Sequence, residues 1–368
     1  MIEHIVSLQQ FENLFLNNTP FLDVRSEGEF LKGNLPNSFN YPILNSLERH
    51  QVGVCYKQKG KESAIELGHK LVCGEAKQNR IQQWRNLIDK NPDIHLFCWR
   101  GGMRSRIAQQ WLLEAGIHAP LIQGGYKALR RYLMQIIDNA ANRLSLIRIG
   151  GRTGTAKTSL INKISPSIDL EKHAEHRGSS FGSTINPQPT QSYFEHSFAI
   201  DLLHRTNFAA ENKILFIEDE GRNIGNIAIP EAFYQAMRRS PLVLLEMPIE
   251  FRVQRILKEY IVDMQAAFEA KYLEQGFDLF SDYLQRSLFR IHKRLGLEQY
   301  RRLNELQINA LRSQRSTGNI DDHWTWILSL LTNYYDPMYD YQIKKNQQPI
   351  IFRGSHEEVY AWAISLIK

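Results

Sequence analysis

The sequence contains few cysteines and no long apolar segment. Only 3 of its 368 residues are cysteine, so a disulfide framework is not expected, and the cytoplasm is the default expectation. Every apolar run is shorter than the roughly 18–20 residues that a membrane-spanning helix needs, so no membrane attachment is expected. The opening residues MIEHIVSLQQ lack a basic stretch followed by an apolar one, so they do not read as a signal peptide.

An excess of one charge sign is present but small. The formal net charge is +6 and the isoelectric point about 9.1, which is compatible with a polyanionic partner such as RNA but does not identify one. Hydrophobic residues make up 43% of the chain, an ordinary globular share, and the length suits two or three domains. Internal repeats and low-complexity tracts are lacking.

Alternating strand and helix patterns predict an α/β protein with three regions. Residues 1–138 form the first α/β domain and residues 139–250 a second with a parallel sheet, whereas helical periodicity dominates residues 251–368. The apolar segments expected to form strands are 20–24, 94–99, 120–122, 144–151, 214–220 and 241–248.

A cysteine follows the predicted strand at 94–99. In FCWRGGMRS, Cys98 precedes two glycines and a helix that starts near Arg104, and Arg100 adds a second cation. Because a glycine-rich loop can turn its amides inward, this pattern is typical of an anion-binding loop around a nucleophilic thiolate. A buried core cysteine beside a solvated arginine turn remains the alternative. Cys55 and Cys73 are expected to be structural, and no Cys/His spacing indicates zinc.

A second glycine-rich turn follows the strand at 144–151. GRTGTAKTS, residues 151–159, nearly fits the G-x-x-x-x-G-K-[ST] phosphate loop, but Ala156 stands in place of the second glycine. The residues expected to bind phosphate are Gly151, Gly154, Lys157 and Thr158. A generic strand–turn–helix is the alternative.

Acidic residues end the strand at 214–220. Glu218 and Asp219 are expected to bind phosphate together with the loop, and Thr158, Glu218 and Asp219 are the candidate ligands of a magnesium ion. Both motifs indicate phosphate, and neither specifies ATP.

The first region resembles the rhodanese domain in two segments. These are LDVRSEGEFLKGNLPNSFNYP at 22–42 and the loop CWRGGMRS. The resemblance implies that Cys98 carries sulfur or selenium. Five residues separate Cys98 from Arg104, a spacing also found in phosphatases that share the rhodanese fold, so phosphatase chemistry stays open.

Five further segments resemble the bacterial tRNA 2-selenouridine synthase family, which joins a rhodanese domain to a P-loop domain. They are GGYKALRR (124–131), DLEKHAEHRGSSFG (169–182), PQPTQSYFEH (187–196), EDEGRNIG (218–225) and NYYDPMYDYQ (333–342). The resemblance extends over nearly the whole chain, with these segments in the family's order. Two positions depart from the pattern. Ala156 replaces a glycine of the phosphate loop, and Gly221 stands where a serine is expected.

The resemblance implies a two-step modification of the wobble 2-thiouridine of tRNA. Geranyl diphosphate first alkylates the sulfur, and selenophosphate then supplies the selenium that replaces the S-geranyl group. Lys157 and Thr158 would bind the diphosphate, and Cys98 would deliver selenium with help from Arg104 and Arg100. The expected partners are tRNA and, as the donor source, selenophosphate synthetase. No tightly bound cofactor is expected beyond magnesium.

Other polar residues are secondary candidates for contact with substrate or tRNA. They are His173, His176, Arg177, Arg294 and Arg301. A solvated surface is the alternative for each. Two competing functions also remain: a rhodanese-type sulfurtransferase or phosphatase with an attached ATPase, and a non-catalytic tRNA-binding module.

Overall fold

The computed structural model describes residues 5–206, 214–346 and 349–367. The chain divides into two compact units. Unit 1 comprises Met1–Asn139 and Thr190–His204, and unit 2 comprises Ala140–Pro189 and Arg205–Lys368. Across the described ranges, no helix combines the length and apolar character needed to cross a bilayer.

The strands are short and belong to two parallel sheets and one hairpin. They are β1 (Ile5–Val6), β2 (Phe21–Asp23), β3 (Ser38–Asn40), β4 (His95–Phe97), β5 (Leu121–Ile122), β6 (Ser145–Gly151), β7 (Ser167–Ile168), β8 (Ile214–Glu218), β9 (Asn223–Ile224), β10 (Ile227–Ala228), β11 (Leu242–Leu245) and β12 (Ile350–Gly354).

Helices fill most of the remaining chain. They are α1 (Phe11–Leu16), α2 (Glu27–Leu31), α3 (Ser46–Leu71), α4 (Gly74–Lys90), α5 (Met103–Glu114), α6 (Gly125–Arg143), α7 (Lys157–Ile161), α8 (Leu170–Ala174), α9 (Gln191–Arg205), α10 (Glu231–Arg239), α11 (Ile249–Ile256), α12 (Asp263–Tyr272), α13 (Gly276–Phe289), α14 (His292–Leu295), α15 (Leu297–Thr317), α16 (His323–Leu330), α17 (Asp336–Asn346) and α18 (His356–Ile367). Leu257–Val262 and Leu331–Tyr335 are π-helical, and Leu8–Gln10 and Leu273–Gln275 are 3₁₀ turns.

Unit 1 contains a parallel sheet with strand order β1-β5-β4-β2-β3. The central strands β2 and β4 are short apolar runs with buried side chains, as expected when helices cover both faces of a parallel sheet. Trp84 and Trp111 pack on this sheet and stack on each other. Because parallel strands end at the same edge, Asp23 at the end of β2 and Cys98 just after β4 lie at one edge of the sheet.

Unit 2 contains a second parallel sheet with strand order β12-β11-β6-β8-β7. β6 is the middle strand and runs directly into the phosphate loop, as the sequence pattern predicts. β8 lies beside it, so the acidic end of β8 lies near that loop. β9 and β10 form a small antiparallel hairpin.

The C-terminal region is mainly helical, but its end returns to the sheet of unit 2. Helices α11 to α16 enclose an apolar core that includes Phe280, Leu288 and Trp326, and β12 then pairs in parallel with β11. The boundary expected at residue 250 therefore falls inside unit 2. A second difference is that Thr190–His204, from the expected second domain, clusters with unit 1.

Candidate functional sites

The loop that carries Cys98 is held by the first turn of α6. The Tyr126 amide donates a 2.9 Å hydrogen bond to the Cys98 carbonyl oxygen. Gly101 has φ +62°, and a Cβ there would lie 2.8 Å from the Gly124 nitrogen. Gly125 has φ +58°, and a Cβ there would overlap the Cys98 carbonyl oxygen. Only glycine permits this approach of two backbones, which explains why the GGYK segment accompanies the cysteine loop.

The Cys98 sulfur is turned inward. Cys98 is 3% exposed and belongs to the apolar core of unit 1. Its sulfur lies 3.1 Å from the Ser105 hydroxyl oxygen, and that hydroxyl donates to the Gly102 carbonyl oxygen at 3.0 Å. Ser105 is its single hydrogen-bond partner among the described residues. Within the described residues no backbone amide donates to the sulfur, so the cradle of amides expected around it is not formed in this loop conformation.

Arg104, at the start of α5, is paired with a carboxylate that sequence reasoning did not assign. Its two terminal nitrogens donate to the two oxygens of Glu29 at 2.6 and 3.0 Å. Burial raises the pKa of Glu29, but the hydrogen bonds and charge of Arg104 outweigh it and lower that pKa to about 2. Arg100 is exposed on the same loop. The signal for Glu29 was its place in the rhodanese-like segment 22–42.

Asp23 and Arg25, in the same segment, form a fully buried ion pair. The Arg25 Nη2 donates to Asp23 at 2.6 Å and to the Gly33 carbonyl oxygen at 2.9 Å. Its guanidinium carbon lies 3.9 Å from the centroid of the Tyr126 ring. Burial raises the pKa of Asp23 against the opposing effect of Arg25. These contacts join the end of β2 to the start of α6, so they support the cysteine loop rather than reacting themselves.

Residues 194–196, at the end of the segment 187–196, lie in unit 1 against α6. Arg130 donates to a Glu195 carboxylate oxygen at 2.5 Å and to His196 Nε2 at 3.1 Å. His196 Nδ1 lies 2.7 Å from the Asn34 carbonyl oxygen, which can only accept, so this nitrogen carries the proton. Burial lowers the pKa of His196 to about 3. His196 is therefore neutral, and these residues are structural.

The loop after β6 has the shape of a phosphate loop. Ala156, which replaces the usual glycine, adopts the left-handed conformation with φ 58° and ψ 41°, an unfavourable region for a residue with a Cβ. Gly154 has φ +85°, and a Cβ there would lie 2.8 Å from the Arg252 carbonyl oxygen. Lys157 folds back over the loop and donates to the Gly151 carbonyl oxygen at 3.0 Å. Its ammonium group is thus placed where a bound phosphate would need positive charge.

Carboxylates crowd the floor of this loop. Thr158 donates to Glu218 at 2.8 Å, and the Glu171 amide donates to the other Glu218 oxygen at 3.3 Å. Burial, reinforced by the neighbouring carboxylates, raises the pKa of Glu171 and of Glu220 to about 8 and that of Glu218 well above its usual value. Glu171 and Glu220 were not singled out from sequence, because only the folded loop brings them together.

Asp219 and Thr158 have different hydrogen-bond partners. Its carboxylate accepts a 2.5 Å hydrogen bond from the buried Arg148, whereas Thr158 bonds to Glu218. In the ranges that the structure describes, no three His, Cys, Asp or Glu side chains are arranged to hold a metal ion. The contacts therefore bring together two of the three expected magnesium ligands, and Asp219 serves an ion pair instead.

A cavity of about 940 Å³ opens from the phosphate loop. Its lining includes charged residues such as Lys157, Lys172 and Glu220, and apolar residues that come mainly from the C-terminal helices. The apolar and aromatic lining residues are Leu242, Ile256, Tyr260, Tyr335, Met338, Tyr339 and Ile343. The cavity thus joins an anion-binding loop to a surface suited to a hydrocarbon group.

Two arginine–aspartate pairs attach the segment 333–342 to the phosphate loop. Arg252 donates to both oxygens of Asp336, at 2.9 and 2.5 Å, and to the Thr153 carbonyl oxygen at 2.8 Å. Arg152 donates to Asp340 at 2.7 Å. These pairs hold α17 beside the loop, and α17 contributes Met338, Tyr339 and Ile343 to the apolar lining of the cavity.

The polar candidates in segment 169–182 separate in the structure. His176 and Arg177 line the cavity, whereas His173 is not among its lining residues. Arg177 donates to the Glu259 carbonyl oxygen at 3.1 Å, and its guanidinium lies 5.1 Å from the Tyr260 ring centroid. Burial, with a contribution from a nearby arginine, lowers the pKa of His176.

The remaining candidates lie on the surface. Arg294 in α14 and Arg301 in α15 are exposed and do not line the cavity. Cys55 is half-buried within α3, and Cys73 is exposed at the start of α4. All three cysteines are free.

Two family models match the chain, one in its N-terminal part and one in the remainder. A family model described as the tRNA 2-selenouridine synthase AAA domain matches residues 144–367, and the rhodanese-like domain model matches residues 7–131. A solved N-terminal domain from Clostridium difficile 630 is 34% identical over 32% of this chain and 89% of its own, but its TM-score of 0.30 is too low to inform the fold.

Curated relatives match over nearly the full length. The tRNA 2-selenouridine synthase of Shewanella denitrificans is 45% identical and covers 100% of both chains. That of Marinobacter nauticus is 44% identical over 96% of each, and that of Photobacterium profundum 43% over 96% of each. The two family models and these relatives give the same assignment, and the chain belongs to the tRNA 2-selenouridine synthase family.

Proposed function

We propose that this enzyme converts the wobble 2-thiouridine of tRNA to 2-selenouridine in two steps, S-geranylation and then selenation. The observation that supports the proposal is the cavity of about 940 Å³ in unit 2, whose lining includes Lys157 and Thr158 as well as Tyr260, Tyr335 and Met338. A cavity lined both by a phosphate loop and by apolar residues suits a prenyl diphosphate, which has an anionic head and a hydrocarbon tail.

In the first step, the thiouridine sulfur attacks the first carbon of the geranyl chain. The carbon–sulfur bond forms, the carbon–oxygen bond breaks, and diphosphate leaves with the bonding electrons. Negative charge therefore grows on the diphosphate, where Lys157 and the loop amides stabilise it. Thr158 and Glu218 remain the proposed magnesium ligands, and a bound magnesium ion would supply further positive charge to this leaving group.

The same step releases the proton on N3 of the base, because S-alkylated 2-thiouridine has no hydrogen there. Glu171 and Glu220 line the cavity, and both have a pKa of about 8. A carboxylate with such a raised pKa is a stronger base than an ordinary one once it is ionised, which happens as the pH rises towards 8. We assign the proton to this pair, with Glu171 nearer to Thr158.

In the second step, the selenium of selenophosphate bonds to C2 of the base, and the C2–sulfur bond breaks. The geranyl group leaves as a thiol, and phosphate is released. Cys98 is the proposed group that delivers selenium: its thiolate would take the phosphoryl group from the donor, the freed hydroselenide would attack C2, and water would then cleave phosphate from the Cys98 sulfur. Arg104 and Arg100 would attract the anionic donor. Because Cys98 is 3% exposed, the loop between β4 and α5 must open for this step.

The tRNA itself would be bound through its phosphates. Arg294 and Arg301 are exposed on neighbouring helices of unit 2, and such cations give a sequence-independent affinity that weakens with salt. Selenophosphate synthetase is the proposed source of the donor.

The proposal is tested by mass spectrometry of tRNA nucleosides after incubation of the full-length enzyme with its co-substrates. Geranyl diphosphate alone should yield S-geranyl-2-thiouridine, and later addition of selenophosphate should convert it to 2-selenouridine. Formation of 2-selenouridine without the geranylated nucleoside, in a time course that could resolve it, would overturn the two-step order.

A further inference from the structure

A second cavity lies in unit 1 beside the Cys98 loop. It is a groove of about 280 Å³ between α3 and α5. Ala64, Val72 and Trp111 form its buried floor. Met103 and Arg104, the first residues of the helix that follows the Cys98 loop, form one end of it. None of the steps proposed above assigns a role to this groove.

The groove suits an unbranched or lightly branched hydrocarbon chain. Val72 and Trp111 of its floor belong to the same apolar core as Cys98, and the polar lining residues Lys61 and His69 are exposed. An apolar cavity of roughly 150 Å³ holds benzene, with six carbons. By proportion, about 280 Å³ accommodates a chain of about ten carbons.

We propose that this groove binds the geranyl chain of S-geranyl-2-thiouridine while selenium replaces its sulfur. The inference rests on the proposed function, which makes a ten-carbon chain part of the substrate at Cys98. A chain seated against Met103 and Arg104 places the base at the Cys98 loop, with the carbon–sulfur bond that must break between them. The departing thiol then remains in an apolar site instead of being released into water at once.

The helix that lines one side of the groove carries three lysines, of which Lys61 lines the groove itself. Lys57, Lys59 and Lys61 are exposed on α3 around its bend at Gly60, and none has an ion pair within the described ranges. Cations beside an apolar groove suit a molecule that combines a phosphate backbone with one hydrocarbon substituent. Neither unmodified RNA nor a free prenyl alcohol has both parts.

Two substitutions on one helix test the groove. Val52 is half-buried and lines it, whereas Val54, on the same helix, is 38% exposed and does not. Val52→Trp fills the groove, and Val54→Trp adds the same side chain outside it. Binding of full-length enzyme is measured to two anticodon stem-loops that carry either S-geranyl- or S-methyl-2-thiouridine, at one salt concentration.

The wild type should bind the geranylated stem-loop at least about tenfold more tightly, because it buries nine more carbons. Val52→Trp should reduce this preference to about twofold or less, and Val54→Trp should retain it. Ile107→Ser, a change in a second lining residue that adds no bulk, should also reduce it. Equal preference in the wild type and in Val52→Trp, or no preference in the wild type, would overturn the groove assignment.

Failure of this inference is distinguishable from failure of the proposed function. Geranyl transfer from geranyl diphosphate to 2-thiouridine RNA uses the phosphate loop of unit 2, so all four proteins should perform it equally. If the wild type forms both modified nucleosides while Val52→Trp retains its preference, the groove assignment alone is wrong. If the wild type forms neither nucleoside, the two-step function fails whatever the binding data show.

Discussion

Arg104 and Glu29 form a two-point ion pair within unit 1, with nitrogen–oxygen distances of 2.6 and 3.0 Å. The arginine expected to attract the selenium donor is therefore already matched by a carboxylate. The pair fixes the first turn of α5, and with it the end of the Cys98 loop. An incoming anion must compete with Glu29 or bind to the outer face of the guanidinium.

The first prediction is that this ion pair makes unit 1 sensitive to acid. The pKa of Glu29 is lowered from 4.5 to about 2, so the pair stabilises the fold above about pH 4.5 and is lost as the pH falls towards 2. Glu29→Gln should lower the free energy of unfolding at pH 7 by about 2–3 kcal/mol and flatten its fall between pH 5 and pH 3.

Urea denaturation at several pH values measures this effect. Glu114→Gln is the control, because Glu114 is half exposed and its pair with Lys77 is weak. An unchanged pH dependence in Glu29→Gln would show that the ion pair does not stabilise unit 1.

The second prediction concerns Cys98. Cys98→Ser should abolish formation of 2-selenouridine, because a hydroxyl is a far poorer nucleophile than a thiolate at neutral pH, while S-geranyl-2-thiouridine accumulates. Cys55→Ser and Cys73→Ser should retain both steps. Nucleoside mass spectrometry measures all three variants, and full selenation by Cys98→Ser would exclude a chemical role for this thiol.

The third prediction concerns the phosphate loop. Lys157→Ala should slow geranylation by about 10²–10³-fold, the usual cost of losing one charge-stabilising group, and spare selenation of RNA that is already geranylated. Lys258→Ala, which changes an exposed lysine paired with Asp263, is the matched control. Equal loss of both steps would argue against assigning them to separate sites.

The fourth prediction concerns Ala156, which adopts a left-handed conformation with φ 58°. Ala156→Gly should stabilise the protein by about 1 kcal/mol, because glycine adopts this conformation without steric strain. Ala266→Gly, at an exposed position within α12, should have the opposite effect, a loss of about 1 kcal/mol. Thermal unfolding compares the two, and a destabilised Ala156→Gly would contradict the strain argument.

The fifth prediction concerns the pH dependence of the first step. Burial and the neighbouring Glu220 raise the pKa of Glu171 to about 8, so its carboxylate form becomes populated only as the pH rises through that value. Geranylation measured without added divalent cations should therefore accelerate between pH 6 and pH 9 and then level off. A magnesium ion on Thr158 and Glu218, which both contact Glu171, would lower this pKa. Glu171→Gln should lose this rise, whereas Glu269→Gln, on the exposed part of α12, should keep it. A flat profile in the wild type would exclude this proton acceptor.

Strands next to a motif could be predicted from sequence, whereas isolated short strands could not. The apolar runs around 21–23, 95–97 and 145–151 form β2, β4 and β6, because a strand buried on both faces is continuously apolar. β12 was missed. It is a sheet-edge strand whose burial alternates, and it follows a long helical region, so the local pattern did not suggest a return to the sheet.

Motif residues were also easier to place than their partners. Lys157 and Thr158 follow from spacing along one loop, but Glu29, Glu171 and Arg252 contact their partners only after distant segments fold together. Arg252 and Asp336 are 84 positions apart, and no local pattern joins them. The inward turn of the Cys98 sulfur was likewise not predictable, because it depends on the Ser105 hydroxyl and on the core beneath it.

The burial of Cys98 determines when its thiol can react with the selenium donor. A thiol packed against Ser105 and 3% exposed is shielded from peroxide and from alkylating agents, whereas Cys73 is exposed. Iodoacetamide should therefore label Cys73 well before Cys98. If the thiol is uncovered only when RNA opens the loop, a scarce and easily oxidised donor is engaged only when an acceptor is already in place.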